Sequence, residues 1–306
     1  MSTLALYVQG DIYPSQGNDP QAVVNAITGS KLTTPILGLC HVNCSEATCP
    51  NCGSPAGSMD ADLTFNDTLI VRCNRSTDNC VSQYVGDPIW PGIVQSLRAG
   101  QVTKIYASFG GYGVADYERI GKLIAKYGTG PTSPLYKNFA CLKTTLGIDG
   151  IDFDDEDSYD QDTVVQFAQM LIGLGYEVTF CPYGDQSFWS GCIQALGAQN
   201  VSWLNLQCYA GGLYNNPGYW TNMGVPVVAG VCADCCCPQT TCSAEQVQEV
   251  FALWTTGKGS VSSGCWGGSI SGATNLAGGF IWTYHAIEDD LTDYVDGMAD
   301  GLSGEG

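Results

Sequence analysis

The chain has 306 residues, 44% hydrophobic and 13% charged, enough apolar material for a sizeable core and a length that suits one large domain or two ordinary ones. Its 11 basic against 30 acidic residues give a formal charge of −19, which argues against a polyanionic partner such as nucleic acid and suits a neutral or cationic ligand. No apolar run is long enough to span a bilayer, so no membrane segment is expected.

The opening stretch MSTLALYVQGDIY predicts a strand straight after the start. It shows neither the basic segment nor the small-residue cleavage site of a signal peptide. Strand-like segments then fall at 3–9, 35–42, 102–110, 145–155, 176–183, 201–209, 225–232 and 278–285, rich in β-branched, aromatic and aliphatic residues. Helical spacing separates them. Tyr117, Ile120, Ile124 and Tyr127 share one face of a predicted helix, and Val164, Phe167, Leu171 and Leu174 share another. Ser243 with Gln246 three residues on is a capping-box signal. The region 43–90, rich in Cys, Gly, Asn and Asp, reads as an elaborated insertion after the second strand, with a hairpin around DLTFNDTLIV. Eight strands alternating with helices predict a single (β/α)8 TIM barrel over 1–306, with an open doubly wound sheet as the competing architecture.

The 16 cysteines divide by context. Cys40, Cys181, Cys208 and Cys232 lie in apolar strand-like runs and read as small buried hydrophobes. Cys44, Cys49, Cys52, Cys73, Cys80, Cys235, Cys236, Cys237, Cys242 and Cys265 lie in loop-like sequence. Disulfides in an oxidising compartment are the favoured reading for several of them, and with it a secreted or extracellular location. The stretches CSEATCPNC and CADCCCPQTTC offer zinc as an alternative, but neither forms the usual paired ligand frame. No metal and no cofactor are expected.

The stretch LGIDGIDFDDED, residues 146–157, carries six carboxylates between Asp149 and Asp157. A strand has period two, so Ile148, Gly150, Asp152, Asp154 and Glu156 share one face while Asp149, Ile151, Phe153 and Asp155 share the other. If Ile151 and Phe153 pack under helices, then Asp152, Asp154 and Glu156 point into the barrel, about 7 Å apart along the chain. They climb toward the strand's C-terminal end, where barrel active sites lie. Like charges this close raise pKa values or share protons, and a neutral carboxyl at working pH is what a general acid needs. A calcium loop is disfavoured because DFDDED lacks the glycine and spacing of an EF-hand. The same parity on VSWLNLQCYAGG sends Asn205, Gln207 and Tyr209 inward when Leu204, Leu206 and Cys208 face the helices. Such buried polar groups need partners or a ligand.

These residues resemble glycoside hydrolase family 18, the chitinase and endo-β-N-acetylglucosaminidase family. DGIDFDDE, residues 149–156, fits the family's D-G-x-D-x-D-x-E signature; SFGG, residues 108–111, fits its S-x-G-G motif; QCY, residues 207–209, fits its sixth-strand motif. Trp282 in GGFIWTY stands where the family's eighth-strand tryptophan floors the sugar, and Tyr7 matches an aromatic on the first strand. The resemblance implies substrate-assisted retaining hydrolysis, an exception to the two-carboxylate scheme. It implies Glu156 as proton donor, with Asp154, Asp152 and Tyr209 as the other catalytic residues. Tyr7, Gly110, Gly111, Gln207 and Trp282 are the implied substrate-binding residues. The implied partner is a chitin-like polysaccharide or another N-acetylglucosamine-containing glycan, taken by a monomer. One departure is Ala210, where family chitinases commonly carry Asp or Asn to hold the acetamido group. It keeps open an endo-β-N-acetylglucosaminidase acting on the N-glycan chitobiose core. A lectin-like barrel without catalysis is the remaining alternative, although such relatives usually lose the glutamate found here as Glu156.

Overall fold

The structure is a computed structural model and describes residues 2–43, 59–74, 80–233, 241–261 and 264–304. Eight parallel strands form the barrel: β1 Thr3–Val8, β2 Thr34–Val42, β6 Tyr106–Gly111, β7 Gly150–Asp155, β8 Glu177–Phe180, β9 Leu204–Gln207, β10 Val227–Cys232 and β11 Gly278–Trp282. β1 pairs with both β2 and β11, which closes the sheet. Helices α1 Pro20–Gly29, α2 Trp90–Ser96, α3 Asp116–Tyr127, α4 Pro134–Leu146, α5 Gln161–Gly173, α6 Gln186–Leu196, α7 Pro217–Trp220, α8 Ala244–Thr256 and α9 Leu291–Ser303 fall between or after them. The alternation expected from sequence is therefore realised as a TIM barrel. Closure excludes the open sheet.

Local signals act as their chemistry demands. Ser243 and Gln246 form a full capping box on α8. Asp19, Ser133, Asp160 and Asp185 cap α1, α4, α5 and α6 with side-chain oxygens, so part of the acidic surplus satisfies orphan helix N–H groups. Between β2 and α2, two short strands, β3 Leu63–Phe65 and β4 Thr68–Asn74, form the expected hairpin, and β5 Val81–Tyr84 adds a third. Asn66 and Asp67 turn it with φ of 42° and 62°, a conformation these two residue types tolerate. β3 pairs antiparallel to β2, so the insertion extends the sheet sideways at the rim.

Apolar residues form two clusters. The larger joins outward strand residues such as Ile151, Phe153, Leu204, Leu206 and Cys208 to the helices. The smaller fills the barrel: Ala5, Tyr7, Ile36, Tyr106, Cys181, Tyr209, Val228, Cys232 and Phe280. Two large rings occupy space left by missing side chains. A β-carbon on Gly150 would come within 2.1 Å of the Tyr106 ring, and one on Gly230 within 1.9 Å of Phe280. Tyr106 closes the interior below Asp152, and Phe280 packs against Tyr7 and Tyr209.

Two expectations change. Cys232, expected as a free buried thiol, is disulfide-bonded. It ends β10 at the barrel mouth, where an apolar run gives way to loop. Cys40, Cys181 and Cys208 are free and buried as expected. Among the loop cysteines, Cys73 pairs with Cys80 and Cys242 with Cys265. Cys44, Cys49, Cys52, Cys235, Cys236 and Cys237, and with them most of the two stretches with zinc as an alternative, lie outside the described residues. The strand starts expected at 102 and 145 come later, at Tyr106 and Gly150. Ile105 and Ile148 are buried in the outer core before their strands begin; Ile148, expected on the face of Asp152, Asp154 and Glu156, escapes that parity because it precedes the strand.

Candidate active site

β7 carries out the predicted division of faces. Ile151 and Phe153 are wholly buried outward, and Phe153 packs against Tyr117 at 5.7 Å and Phe167 at 5.1 Å between ring centroids. Asp149 and Asp155 share that outer face and are spent on structure. Asp149 accepts from Arg98 and from the Ile105 N–H, both at 2.8 Å. Asp155 accepts from the N–H groups of Ser158 at 2.9 Å and Tyr159 at 3.0 Å, pinning the loop after the strand.

The inner face builds a ladder. Asp152, fully buried, accepts four hydrogen bonds: from Tyr7 at 2.8 Å and Ser108 at 2.8 Å on one oxygen, and from Thr179 at 2.7 Å and Asn205 at 2.9 Å on the other. Burial raises its pKa, and these four donors oppose the rise by favouring the charged form. One rung higher, burial pushes the Asp154 carboxyl well above the usual range, with the charges of Glu156 and Asp152 adding to the effect. Gln207 on β9 joins the upper two rungs, its amide nitrogen donating to Asp154 Oδ1 and Glu156 Oε1, both at 3.1 Å. Among the described residues, the side chains that hydrogen-bond Asp152, Asp154 and Glu156 in this ladder are all uncharged.

The ladder opens into a cleft of about 570 Å³ at the C-terminal ends of the strands, lined by Asp154, Glu156, Tyr209, Trp282, Tyr7, Leu39, Gly111, Tyr112, Tyr183, Gln207 and Ala210 among others. Tyr209 packs edge-on against Phe280, and burial keeps its phenol protonated and able to donate. Trp282 lies 5.2 Å from the Tyr7 ring. Thus Glu156, Asp154, Tyr209, Tyr7, Gly111, Gln207 and Trp282 come together on the cleft wall, with Asp152 directly beneath. Gly110 stands apart: with φ of +123°, its missing β-carbon lets the strand pass the Asp154 carbonyl, which a side chain would meet at 2.1 Å. Trp90, Trp189, Trp220 and Trp266 are buried core rather than cleft wall. His285 sits at the rim, 3.2 Å from Asp11.

Sequence reasoning did not single out Ser108, Thr179, Tyr112 or Tyr183. Ser108 faces inward on β6 beside Asp152 and Thr179 does so on β8, so the parity test, extended to those strands, would have found both. Leu39 reaches the cleft for another reason. The register slips between Leu37 and Cys40 on β2, which turns Leu39 to the cleft and Cys40 to the helices.

No family model matches the sequence, and no curated protein does. Solved structures do. A Streptomyces coelicolor protein provisionally described as chitinase A superposes with a TM-score of 0.62 at 14% identity, covering 99% of this chain and 98% of that one. The chain has the fold of the family 18 chitinases. A GH18 chitinase from Cycas revoluta, solved with (GlcNAc)4, gives 0.50 at 12% identity with 100% of each chain covered. Active domain 2 of a Pyrococcus furiosus chitinase, complexed with chito-oligosaccharides, gives 0.53 at 10% identity, over 100% of this chain and 96% of that one. At these identities the similarity concerns the family 18 fold, and the chemistry must come from the site itself.

Proposed function

We propose that the protein is a retaining glycosidase that cleaves β-1,4 linkages between N-acetylglucosamine units, in chitin or chitooligosaccharides. The observation that carries this reading is the Asp152–Asp154–Glu156 ladder, which rises into an aromatic-walled cleft and, among the described residues, is hydrogen-bonded by no cationic side chain. Such a site favours a reaction whose transition state gains positive charge.

In this reading Glu156, at the cleft wall, protonates the leaving glycosidic oxygen as that bond breaks. The substrate's own 2-acetamido carbonyl oxygen attacks the anomeric carbon, giving a cyclic oxazolinium ion and no bond to the protein. Asp154 accepts the acetamide N–H and balances the developing charge. Asp152, held by its four donors, stabilises Asp154 from below. Tyr209 donates to the acetamido oxygen and aligns it. Trp282 gives the sugar ring an apolar floor, since aromatic faces pack well on C–H surfaces. Glu156 then takes a proton from the water that opens the oxazolinium ion, and retention follows from two inversions. The structures of chitinases holding chito-oligosaccharides on the same fold support the substrate class.

Ala210 favours a second reading. It lines the cleft next to Tyr209, where an acetamide-holding Asp or Asn is absent, and a site lacking that contact suits an endo-β-N-acetylglucosaminidase that recognises the chitobiose core of an N-glycan. Mass spectrometry of products from chitooligosaccharides beside a high-mannose glycopeptide separates the two. Cleaved chitooligosaccharides support the first reading. Glycan release with the oligomers untouched supports the second. Glycan binding by calorimetry without any product sinks both and leaves a lectin.

A further inference from the structure

Of the six carboxylates between Asp149 and Asp157, the last has no part in the ladder or in the outer face of β7. Asp157 follows Glu156, beyond the end of the strand. The loop that carries it is itself held, because Asp155 accepts from the N–H groups of Asp157, Ser158 and Tyr159 at 3.3, 2.9 and 3.0 Å. The Asp157 side chain then reaches across to a second loop. A single oxygen, Oδ2, accepts from the N–H groups of Val114 at 3.0 Å and Ala115 at 3.2 Å. These two residues end the connection between β6 and α3.

That connection needs such a partner. Gly111, Gly113 and Ala115 take left-handed φ values of 116°, 77° and 52°. Glycine reaches this region without cost and so does nothing to hold it, whereas alanine is strained there. Gly111 pairs with Asp155 across the two strands, and Arg119 donates to the Val114 carbonyl. Tyr112 and Gly113 lie exposed between these anchors. Tyr112 is 82% exposed and still lines the cleft beside Glu156. Its place on the wall is therefore set by the backbone on either side of it, not by burial of its ring.

We propose that Asp157 is a positioning residue that acts through Tyr112. By clamping Val114 and Ala115 it holds the 111–115 loop, so that the Tyr112 ring already stands at the cleft wall when a ligand arrives. A side chain placed beforehand costs less ordering on binding. A loop that visits its competent form only part of the time weakens the apparent affinity by that fraction. The acidic run thus has a division of labour at its upper end: Glu156 offers the proton, and its neighbour sets the wall beside it.

The inference rests on the glycosidase reading only for its kinetic arm. In Asp157→Ala, KM for chitooligosaccharides is expected to rise about 3- to 10-fold, the cost of ordering one loose side chain, while kcat holds. Asp157→Asn should restore KM, since its one amide oxygen can take both N–H bonds that Oδ2 takes now. In a Tyr112→Ala background the further change Asp157→Ala should add nothing, because residues acting through one another are not additive. An unmoved KM in folded Asp157→Ala overturns the proposal. So does a fall in kcat with KM unchanged, which would mean that Asp157 acts through Glu156, and so do effects that simply add in the double variant. The second arm needs no turnover. Amide hydrogen exchange at 112–115 is expected to quicken in Asp157→Ala and to stay slow in Asp157→Asn. Equal rates in the wild type and Asp157→Ala overturn the clamp. If the wild type turns over no glycan, the glycosidase reading fails while the exchange rates still decide whether Asp157 holds the loop.

Discussion

The two ends of β7 use the same residue type in opposite ways. At the lower end, Asp149 is ion-paired with Arg98 at 2.8 Å, and on the next strand Glu177 meets Lys104 and the Tyr106 hydroxyl. At the upper end, Asp152, Asp154 and Glu156 receive hydrogen bonds from neutral side chains only, among the described residues. An acid matched by a cation is quiet and structural. An acid held by neutral donors in a buried place keeps an unbalanced field, and its protonation responds to whatever enters the cleft.

The sharpest way to break this contrast is Glu156→Gln. It keeps the shape and removes the acidic proton that can be transferred, so turnover of chitooligosaccharides should fall by about 10²- to 10⁴-fold, the usual worth of a general acid, with the melting temperature little changed. Product analysis and circular dichroism read the two together. An active, folded variant would place the chemistry elsewhere.

Asp154→Asn should cost about 10²- to 10³-fold in kcat, because the amide cannot balance positive charge. It also tests the electrostatics. The carboxyl of Asp154 is raised in the folded state, so the native protein holds this proton at pH values where the unfolded chain has lost it. The resulting stability is fully present below the ordinary carboxylate pKa and is lost as pH rises through the raised folded value. The wild type should therefore gain stability relative to Asp154→Asn as pH falls from neutral toward about 4. Chemical denaturation of both across that range checks the sign.

Trp282→Ala removes the apolar floor. KM is expected to rise about 3- to 10-fold, equivalent to the loss of one ring contact, with the fold intact. The smallest effect should come from the other end. Arg98→Ala breaks the pair with Asp149, both partly exposed, and should cost about 1 kcal/mol or less of stability while leaving kcat where it was. A loss of turnover here, measured beside the melting temperature, would mean that the two ends are coupled.

Much of the barrel was legible because burial on a strand obeys period two. Ile151 and Phe153 set the orientation of β7, and with it the inward direction of Asp152, Asp154 and Glu156; Leu204 and Leu206 do the same for Asn205, Gln207 and Tyr209. Parity fails where the ladder slips, and one irregularity in β2 is enough to exchange Leu39 and Cys40 between cleft and core. It is also silent on covalent partners: an apolar strand context made Cys232 look like a plain hydrophobe, although it is disulfide-bonded. The donors to Asp152 come from four other strands, β1, β6, β8 and β9. Only strand adjacency and register, which depend on closure of the whole sheet, bring them to one carboxylate.

The ring packed beneath the ladder leaves its upper acids facing the cleft. Tyr106 fills the space at Gly150, below Asp152, while Asp154 and Glu156 line the cleft, so a ligand seated there stands between those two acids and the solvent. Deuterium uptake at Tyr7 and Asn205, deep under the mouth, should thus act as an occupancy gauge, slowing when the cleft fills and recovering when it empties.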